Sequence, residues 1–297
     1  MTSAVPLEQA LRRAASRLQQ AGVASPRHDA EELAALVLDT TRSQVHTAAL
    51  RGDHAGLGER FEDLVEQRAR RTPLQHLTGR APFRDLLLDV GPGVFVPRPE
   101  TEVVAGEAVD EARRLVSLGR TPVVVDLCTG SGAIALAVAT EVPRAQVHAV
   151  ELSDHALAWA QRNVEHHGQG LVELRQGDAT TAFPDLDGGV DVVVSNPPYI
   201  PPGSEPTDPE VRDHDPAVAL YGGGLLGLDV PARVVAAAAR LLREGGLLVM
   251  EHADVQQDQV LALLRRASSE GRPVWDEAVG HPDLAERPRY VTARRRA

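Results

Sequence analysis

Val123-Val124-Val125-Asp126-Leu127-Cys128-Thr129-Gly130-Ser131-Gly132 is the stretch that decides the fold. Three β-branched residues run into an acid, a turn of small residues follows, and the apolar helical pattern Ala133 to Ala139 begins at once. That order describes the first β-turn-α unit of a doubly wound α/β sheet, whose turn lies at the edge where such folds bind ligands. The two glycines let a ligand approach the backbone closely. Gly130-Ser131-Gly132-Ala133-Ile134-Ala135 also fits the pattern G-x-G-x-x-A, so a nicotinamide dinucleotide competes at this point.

Downstream, Gln146 to Val150 and Leu171 to Arg175 read as second and third strands, and the apolar run Val190 to Val194 as a fourth, buried one. Acids sit at the ends of the first three. Asp126 can orient the turn and hold an ammonium, and Glu151 can accept both hydroxyls of a ribose. Asp178, in Gln176-Gly177-Asp178-Ala179, is placed to receive the exocyclic amine of an adenine. Each acid alone is as easily a solvated strand terminus; their order along successive strands points to S-adenosylmethionine.

The fourth strand runs into Asn196-Pro197-Pro198-Tyr199. A carboxamide and a proline carbonyl held side by side form a receptor for one planar NH2 group. The two prolines fix the backbone and remove two amide donors, so the loop offers acceptors without competing donors, and Tyr199 adds a flat face. Asn-Pro-Pro alone is more simply a turn after a strand. A dinucleotide enzyme has no use for the full string here.

At these residues the chain resembles a class I S-adenosylmethionine-dependent methyltransferase of the amino-methylating group. Pro73-Leu74-Gln75-His76-Leu77-Thr78-Gly79, Val96-Pro97-Arg98-Pro99-Glu100-Thr101-Glu102, Val194 to Ile200, Gly223 to Asp229 and Leu248-Val249-Met250-Glu251-His252 narrow the resemblance. They are similar to the release factor glutamine methyltransferases, the PrmC or HemK family, from about Leu7 to the C-terminus. The resemblance implies a doubly wound, mostly parallel seven-stranded sheet. A small helical substrate-recognition domain (residues 1–78) would be joined to the catalytic domain (97–297) by a β-hairpin linker (79–96). It also implies methylation of the glutamine side-chain amide in the Gly-Gly-Gln motif of class 1 peptide chain release factors.

By the same resemblance, Asn196 and the Pro197 carbonyl bind that amide, Pro198 and Tyr199 line its slot, and Asn196, Pro197 and Tyr199 carry catalysis. Cofactor contacts carry over to Asp126, to Cys128, Thr129, Gly130, Ser131 and Gly132, to Glu151, to Asp178 and Ala179, and to Asn196. The chain departs from the family pattern in two places. Cys128 stands where many relatives have glycine, and Ala179 where an aromatic residue often packs on adenine.

A carboxamide nitrogen is a poor nucleophile because its lone pair is delocalised into the carbonyl, and deprotonating it at neutral pH is prohibitive. Holding both N–H bonds against acceptors reduces that conjugation and aims the lone pair at the sulfonium methyl. Positioning of this kind is worth roughly 7 to 11 kcal/mol of barrier.

Composition agrees with a soluble two-part protein. The 297 residues exceed one typical domain, and 43% hydrophobic residues suffice for a core. No apolar run reaches membrane-spanning length and the N-terminus lacks a signal pattern, so a cytoplasmic location and no membrane partner are expected. A single cysteine excludes a disulfide framework and a multi-cysteine metal site, and inside its turn Cys128 reads as a packing residue. His166-His167 lacks ligand spacing and reads as a solvated helix end; no metal is expected. A net charge of -11, with every cation an arginine, argues against duplex nucleic acid as a partner. Arg294-Arg295-Arg296 reads as a solubilising tail.

Leu7, Leu11, Ala14, Ala15 and Leu18 repeat at helical spacing, and Ser25-Pro26 reads as the N-cap and first-turn proline of a helix running to Leu38. Helices over Arg42 to Leu50 and Leu57 to Arg70 complete a bundle. Thr78 to Val96, with Gly91-Pro92-Gly93 between its apolar residues, suggests the hairpin, and Pro97 to Glu102 starts the next helix. Glu100 and Glu102 read first as favourable first-turn acids. Pro201 to Pro216 reads as an irregular lid or substrate-facing loop. Helices follow over Ala232 to Leu242 and Val255 to Arg266, with a buried strand from Gly246 to Glu251 between them and final strands near Val274 and Tyr290 to Thr292. Two rivals stand beside the main reading: an adenine-N6 DNA or RNA methyltransferase using the same loop on a flipped base, and a non-catalytic cofactor-binding interaction module.

Overall fold

The structure is a computed structural model that describes residues 6–54, 56–168, 170–269 and 271–296. The chain divides into two compact units, one of residues 1–80 with 206–214 and one of residues 81–205 with 215–297.

The first unit opens with helices α1 (Leu7–Gln20), α2 (Pro26–Val37), α3 (Arg42–Arg51), α4 (Gly58–Ala69) and α5 (Leu74–Thr78). Leu7, Leu11, Ala14 and Leu18 of α1 fall on one face and bury against Leu33 and Ala34 of α2, Val45 of α3, and Phe61 and Val65 of α4. Pro26 occupies the first turn of α2 as expected, although Ser25 makes no side-chain cap bond. Thr41 and Gln44 form a reciprocal capping box on α3.

In the second unit the strands β1 (Arg80–Phe83) and β2 (Leu86–Asp89) pair as a small ribbon. Its turn is Arg84-Asp85, with Arg84 in the left-handed region at φ 51, and not the glycine-proline-glycine segment that the sequence suggests. Gly91 is there for close approach: a Cβ on it would lie 2.5 Å from the Trp159 ring.

Alternation of helix and strand then builds the sheet: α6 (Pro99–Ser117), β3 (Val123–Leu127), α7 (Ala133–Glu141), β4 (Gln146–Glu151), α8 (Asp154–His167), β5 (Val172–Gln176) and β6 (Val190–Ser195). After β6 come α9 (Pro209–His214), α10 (Ala217–Leu220), α11 (Asp229–Leu241), β7 (Leu242–Glu251) and α12 (Gln257–Arg266). A two-residue pair, β8 (Ser268–Ser269) and β9 (Arg272–Pro273), precedes β10 (Trp275–Pro282) and β11 (Pro288–Arg295). The seven strands lie in the order β10-β11-β7-β6-β3-β4-β5. The five from β7 to β5 run parallel, and β11 is antiparallel to both neighbours.

Both sheet faces are covered, which is why the strands are continuous apolar runs. Val124, Val192, Val194 and Val249 face a core with α6 and α7, while Val125, Leu127, Val193, Leu248 and Met250 face one with α11 and α12.

Two sequence expectations are corrected and a third is extended. Pro201 to Pro216 is not irregular throughout: α9 belongs to the first unit, where Glu210 pairs with Arg68 at 2.7 Å and with Arg71. The arginine tail finishes β11, and Arg294 reaches Glu111 at 3.0 Å, whose carboxyl is held down to about 2 by Arg114 and Arg294 against the opposing effect of burial. His166 and His167 end α8 but bond to the ribbon, at 2.9 Å to Asp89 and 2.9 Å to the Leu87 carbonyl.

Candidate functional site

Parallel register brings the predicted residues to one edge. Leu127 lies opposite Val150 of β4 and Ser195 of β6, and Ser195 lies opposite Met250 of β7. The next residue along each chain therefore falls in one row at this edge: Glu151 and Glu251 as the last residues of their strands, Cys128 and Asn196 just beyond theirs. Gln176 of β5 pairs with Glu151, so Asp178 and Ala179 follow at the same edge. The crossovers part here, from β3 to β4 on one side and from β6 to β7 on the other, the topological switch point of a doubly wound sheet.

Asp126 is fully buried and ties the turn to α7. Its Oδ2 accepts from the Thr129 hydroxyl at 2.6 Å and from the Ala135 amide at 3.1 Å, beside the positive end of that helix. Its Oδ1 is buried with no hydrogen-bond partner among the described residues. Burial outweighs the two bonds and pushes its carboxyl up to about 7. Glu151, also raised by burial, accepts from the Gly130 amide and the Ser153 amide, each at 2.8 Å.

Cys128 stands at φ 65, a left-handed conformation that costs an L side chain about 1 kcal/mol and explains why glycine suits the position. Burial, with Glu151 and Asp126 nearby, pushes its thiol up to about 12, so it is no nucleophile at neutral pH. Ser131 is fixed through its carbonyl by the buried Asn163 of α8, whose amide also holds the backbone of Asp89. Gly132 ends the turn as the N-cap of α7. Asp178 is exposed and accepts from the Thr180 amide at 2.8 Å, which lowers its carboxyl; Ala179 is buried in the core that Cys128 also touches.

The Asn196 loop is held by its backbone and by its side chains. Gln256 donates to the Tyr199 carbonyl at 2.8 Å and to the Leu226 carbonyl at 2.7 Å. The Ile200 amide donates to the Leu220 carbonyl and the Gly222 amide to the Ile200 carbonyl, a parallel bridge between Ile200 and Tyr221. Gly227, at φ 72, packs so closely that a Cβ would lie 2.1 Å from the Tyr199 carbonyl oxygen. Asn196 Nδ2 donates to Thr101 Oγ1 at 3.1 Å, Thr101 donates to Glu251 Oε2 at 2.8 Å, and the Tyr199 hydroxyl donates to Glu251 Oε1 at 3.3 Å. Burial pushes Glu251 up to about 7, opposed by Thr101, Arg289 and Tyr199.

Thr101 and Glu251 are the residues that sequence reasoning missed. It quoted both only within longer motif strings and read the flanking Glu100 and Glu102 as first-turn acids. Glu102 accepts from the Arg84 amide at 3.0 Å, which fixes the ribbon turn, and Glu100 is exposed. A signal for Thr101 existed: it shares the buried face of α6 with Val104, Ala105 and Ala108, a polar residue at apolar spacing. Glu251 ends an apolar strand, as Glu151 does, and Asp126 lies one residue before the end of another.

These residues fit S-adenosylmethionine. A buried acceptor without a donor, a second carboxylate on the turn, and a Gly130 whose Cβ direction is open space suit a ligand bringing an ammonium and ribose hydroxyls. Fold and edge together define a class I S-adenosylmethionine-dependent methyltransferase. Residues 9–79 match the PrmC N-terminal domain and residues 101–207 the methyltransferase small domain. The chain is 54% identical to the release factor glutamine methyltransferase of Streptomyces coelicolor, over 95% of either chain. It is 46% identical to that of Mycolicibacterium smegmatis, over 97% of this chain and 98% of the other. The chain belongs to the release factor glutamine methyltransferase family, as its sequence motifs imply.

A 4-amino-L-phenylalanine/4-methylamino-L-phenylalanine methyltransferase of Streptomyces pristinaespiralis is 42% identical over 95% of this chain and 94% of its own. Among solved structures, the hMettl16 catalytic domain in complex with a 3′UTR hairpin shares the fold, with TM-score 0.53 and 14% identity over 78% of this chain and 82% of that one. Among the described residues no helix is long and apolar enough to cross a membrane.

Proposed function

We propose that this enzyme methylates the side-chain amide nitrogen of the glutamine in the Gly-Gly-Gln motif of class 1 peptide chain release factors, in the cytoplasm. The observation that carries the proposal is the Asn196 loop: its backbone is immobilised by Gln256 and Gly227 at the sheet edge beside the Asp126 and Glu151 turn. In this reading Asn196 Oδ1 and the Pro197 carbonyl accept the two N–H bonds of the amide, and Pro198 and Tyr199 line its slot. The Tyr199 phenol is raised by burial and by Glu251, so it acts neutral, as a wall and not as a base. Asp126, the Cys128 to Gly132 turn, Glu151, and the Asp178-Ala179 turn hold the cofactor. Bound S-adenosylmethionine supplies a methyl group on a sulfonium, a good leaving group. The chain's contribution is to aim the nitrogen lone pair: the N–C bond forms as the C–S bond breaks, and the proton then carried by the strongly acidic methylated nitrogen is lost to water, so a general base is not the first requirement.

The helical unit, to which the PrmC N-terminal domain match falls, serves release-factor recognition in this reading. An acidic chain of net charge -11 is poorly suited to duplex nucleic acid, which weighs against the base-methylating rival. The relative named for 4-amino-L-phenylalanine supports a second reading, methylation of a small aromatic amine at the same acceptors.

The test is methyl transfer from labelled cofactor to purified release factor, to a Gln→Ala variant of its Gly-Gly-Gln motif, to 4-amino-L-phenylalanine and to an adenine oligonucleotide. Label on the intact release factor alone is expected. Asn196→Ala should lower turnover by about 100-fold or more while leaving cofactor affinity within a few-fold. Near-normal turnover in that variant refutes the assignment.

A further inference from the structure

We propose that Thr101 and Glu251 are positioning residues that fix which end of the Asn196 carboxamide faces the substrate. The inference rests on the reading above that Asn196 accepts a substrate N–H. Its logic is donor and acceptor bookkeeping. An ionised carboxylate only accepts, so at 2.8 Å from Glu251 Oε2 the Thr101 hydroxyl must spend its one proton there. Thr101 Oγ1 then has only lone pairs for Asn196, which lies 3.1 Å away, and the carboxamide must present its NH2 to it. Asn196 Oδ1, which accepts no hydrogen bond among the described residues, is left facing outward as the acceptor the substrate needs.

Were the polarity reversed, Thr101 would donate to Asn196 Oδ1, and the NH2 of Asn196 would meet the NH2 of the substrate, donor against donor. Both positioning side chains are sealed from water, Thr101 at 5% and Glu251 at 2% exposure, so no solvent molecule substitutes for either partner. The same carboxylate also accepts from Tyr199, which couples both polar ends of the loop to one buried charge. Around Glu251 stand Thr101 and Glu100 from α6, Tyr199 from the loop, Arg289 from β11 and, next along the chain after the strand ends, His252. Arg289 favours the ionised form; burial and Glu100 oppose it. A protonated Glu251 can itself donate to Thr101 and release the Thr101 proton toward Asn196, so the relay inverts in acid.

The experiment compares Thr101→Val, Thr101→Ser, Glu251→Gln and Asn196→Ala in the full chain. It reads kcat and KM for release factor at saturating cofactor, cofactor affinity by calorimetry, and kcat across about pH 6 to 9. Thr101→Val should lose about 100-fold in kcat with cofactor affinity within about threefold, while Thr101→Ser and Glu251→Gln, whose amide oxygen can still accept the Thr101 proton, should stay within about fivefold and tenfold of the parent. The parent should lose kcat on the acid side near pH 7, the value to which Glu251 is raised, and Glu251→Gln should be flat there. An inactive Asn196→Ala beside a fully active Thr101→Val, or a Glu251→Gln that keeps the acid limb of the parent, overturns the relay and leaves the Asn196 reading standing. An active Asn196→Ala overturns that reading itself. Equal losses in Thr101→Ser and Thr101→Val reduce Thr101 to a packing methyl and also overturn the relay.

Discussion

Replacing Asp126 by asparagine should stabilise the cofactor-free protein at alkaline pH while weakening cofactor binding. Raising the carboxyl from 3.8 to about 7 is about three pH units, and at 1.36 kcal/mol each an ionised Asp126 costs the fold about 4 kcal/mol at pH 8. At pH 5 the folded carboxyl is already protonated, and the cost is only that of protonating it from 3.8, about 2 kcal/mol. The sign follows from proton binding. Between the two pKa values the folded state holds more protons than the unfolded one, so stability falls as pH rises through this window.

Asparagine keeps an oxygen for Thr129 and Ala135 but places an NH2 where Oδ1 had no partner, at a cost of about 1 to 3 kcal/mol at every pH. The net gain at pH 8 is therefore about 1 to 3 kcal/mol. The quantity free of that offset is the change in the variant's advantage between pH 5 and pH 8, the difference between those two costs, about 2 kcal/mol. Urea unfolding of both proteins without cofactor at the two pH values measures it. An advantage that does not grow with pH refutes the reasoning, because it means that the buried oxygen carries no charge penalty for a cationic ligand to relieve.

Two more perturbations test the scaffold around the site. Gly227→Ala must move a Cβ off the Tyr199 carbonyl 2.1 Å away, and it should lose about 10 to 100-fold in kcat through the displaced loop, read by release-factor methylation with cofactor affinity as the control. In the helical unit, Glu210→Ala removes one partner from Arg68, which keeps Asp29, and one from Arg71, which keeps the Gly22 carbonyl; it should cost about 1 to 2 kcal/mol by urea unfolding and speed tryptic cleavage after Arg212, and unchanged cleavage would show that the pairs do not hold α9.

Local pattern made most of the sheet and half of the site legible. The β3 run, its small-residue turn and the strand-end acids are each defined within ten residues of chain, and their order alone dictates that Asp126, Glu151 and Asn196 share an edge once parallel register is imposed. The Asn-Pro-Pro-Tyr string announces its acceptors by composition. The ribbon turn was misread because glycine signals either a turn or a close approach, and only packing against Trp159 distinguishes them.

From its sequence by itself, the chain determined the doubly wound sheet, the cofactor turn and the amide-binding loop, since each rests on periodicity or on a short run of special backbone. Only the tertiary structure decided that Thr101 joins Asn196 across 95 residues and Glu251 across 150, and that α9 completes the helical bundle. The physical reason is that hydrogen-bond polarity belongs to a closed network: a threonine on an apolar helix face has no assigned donor direction until a carboxylate from a distant strand end is buried against it.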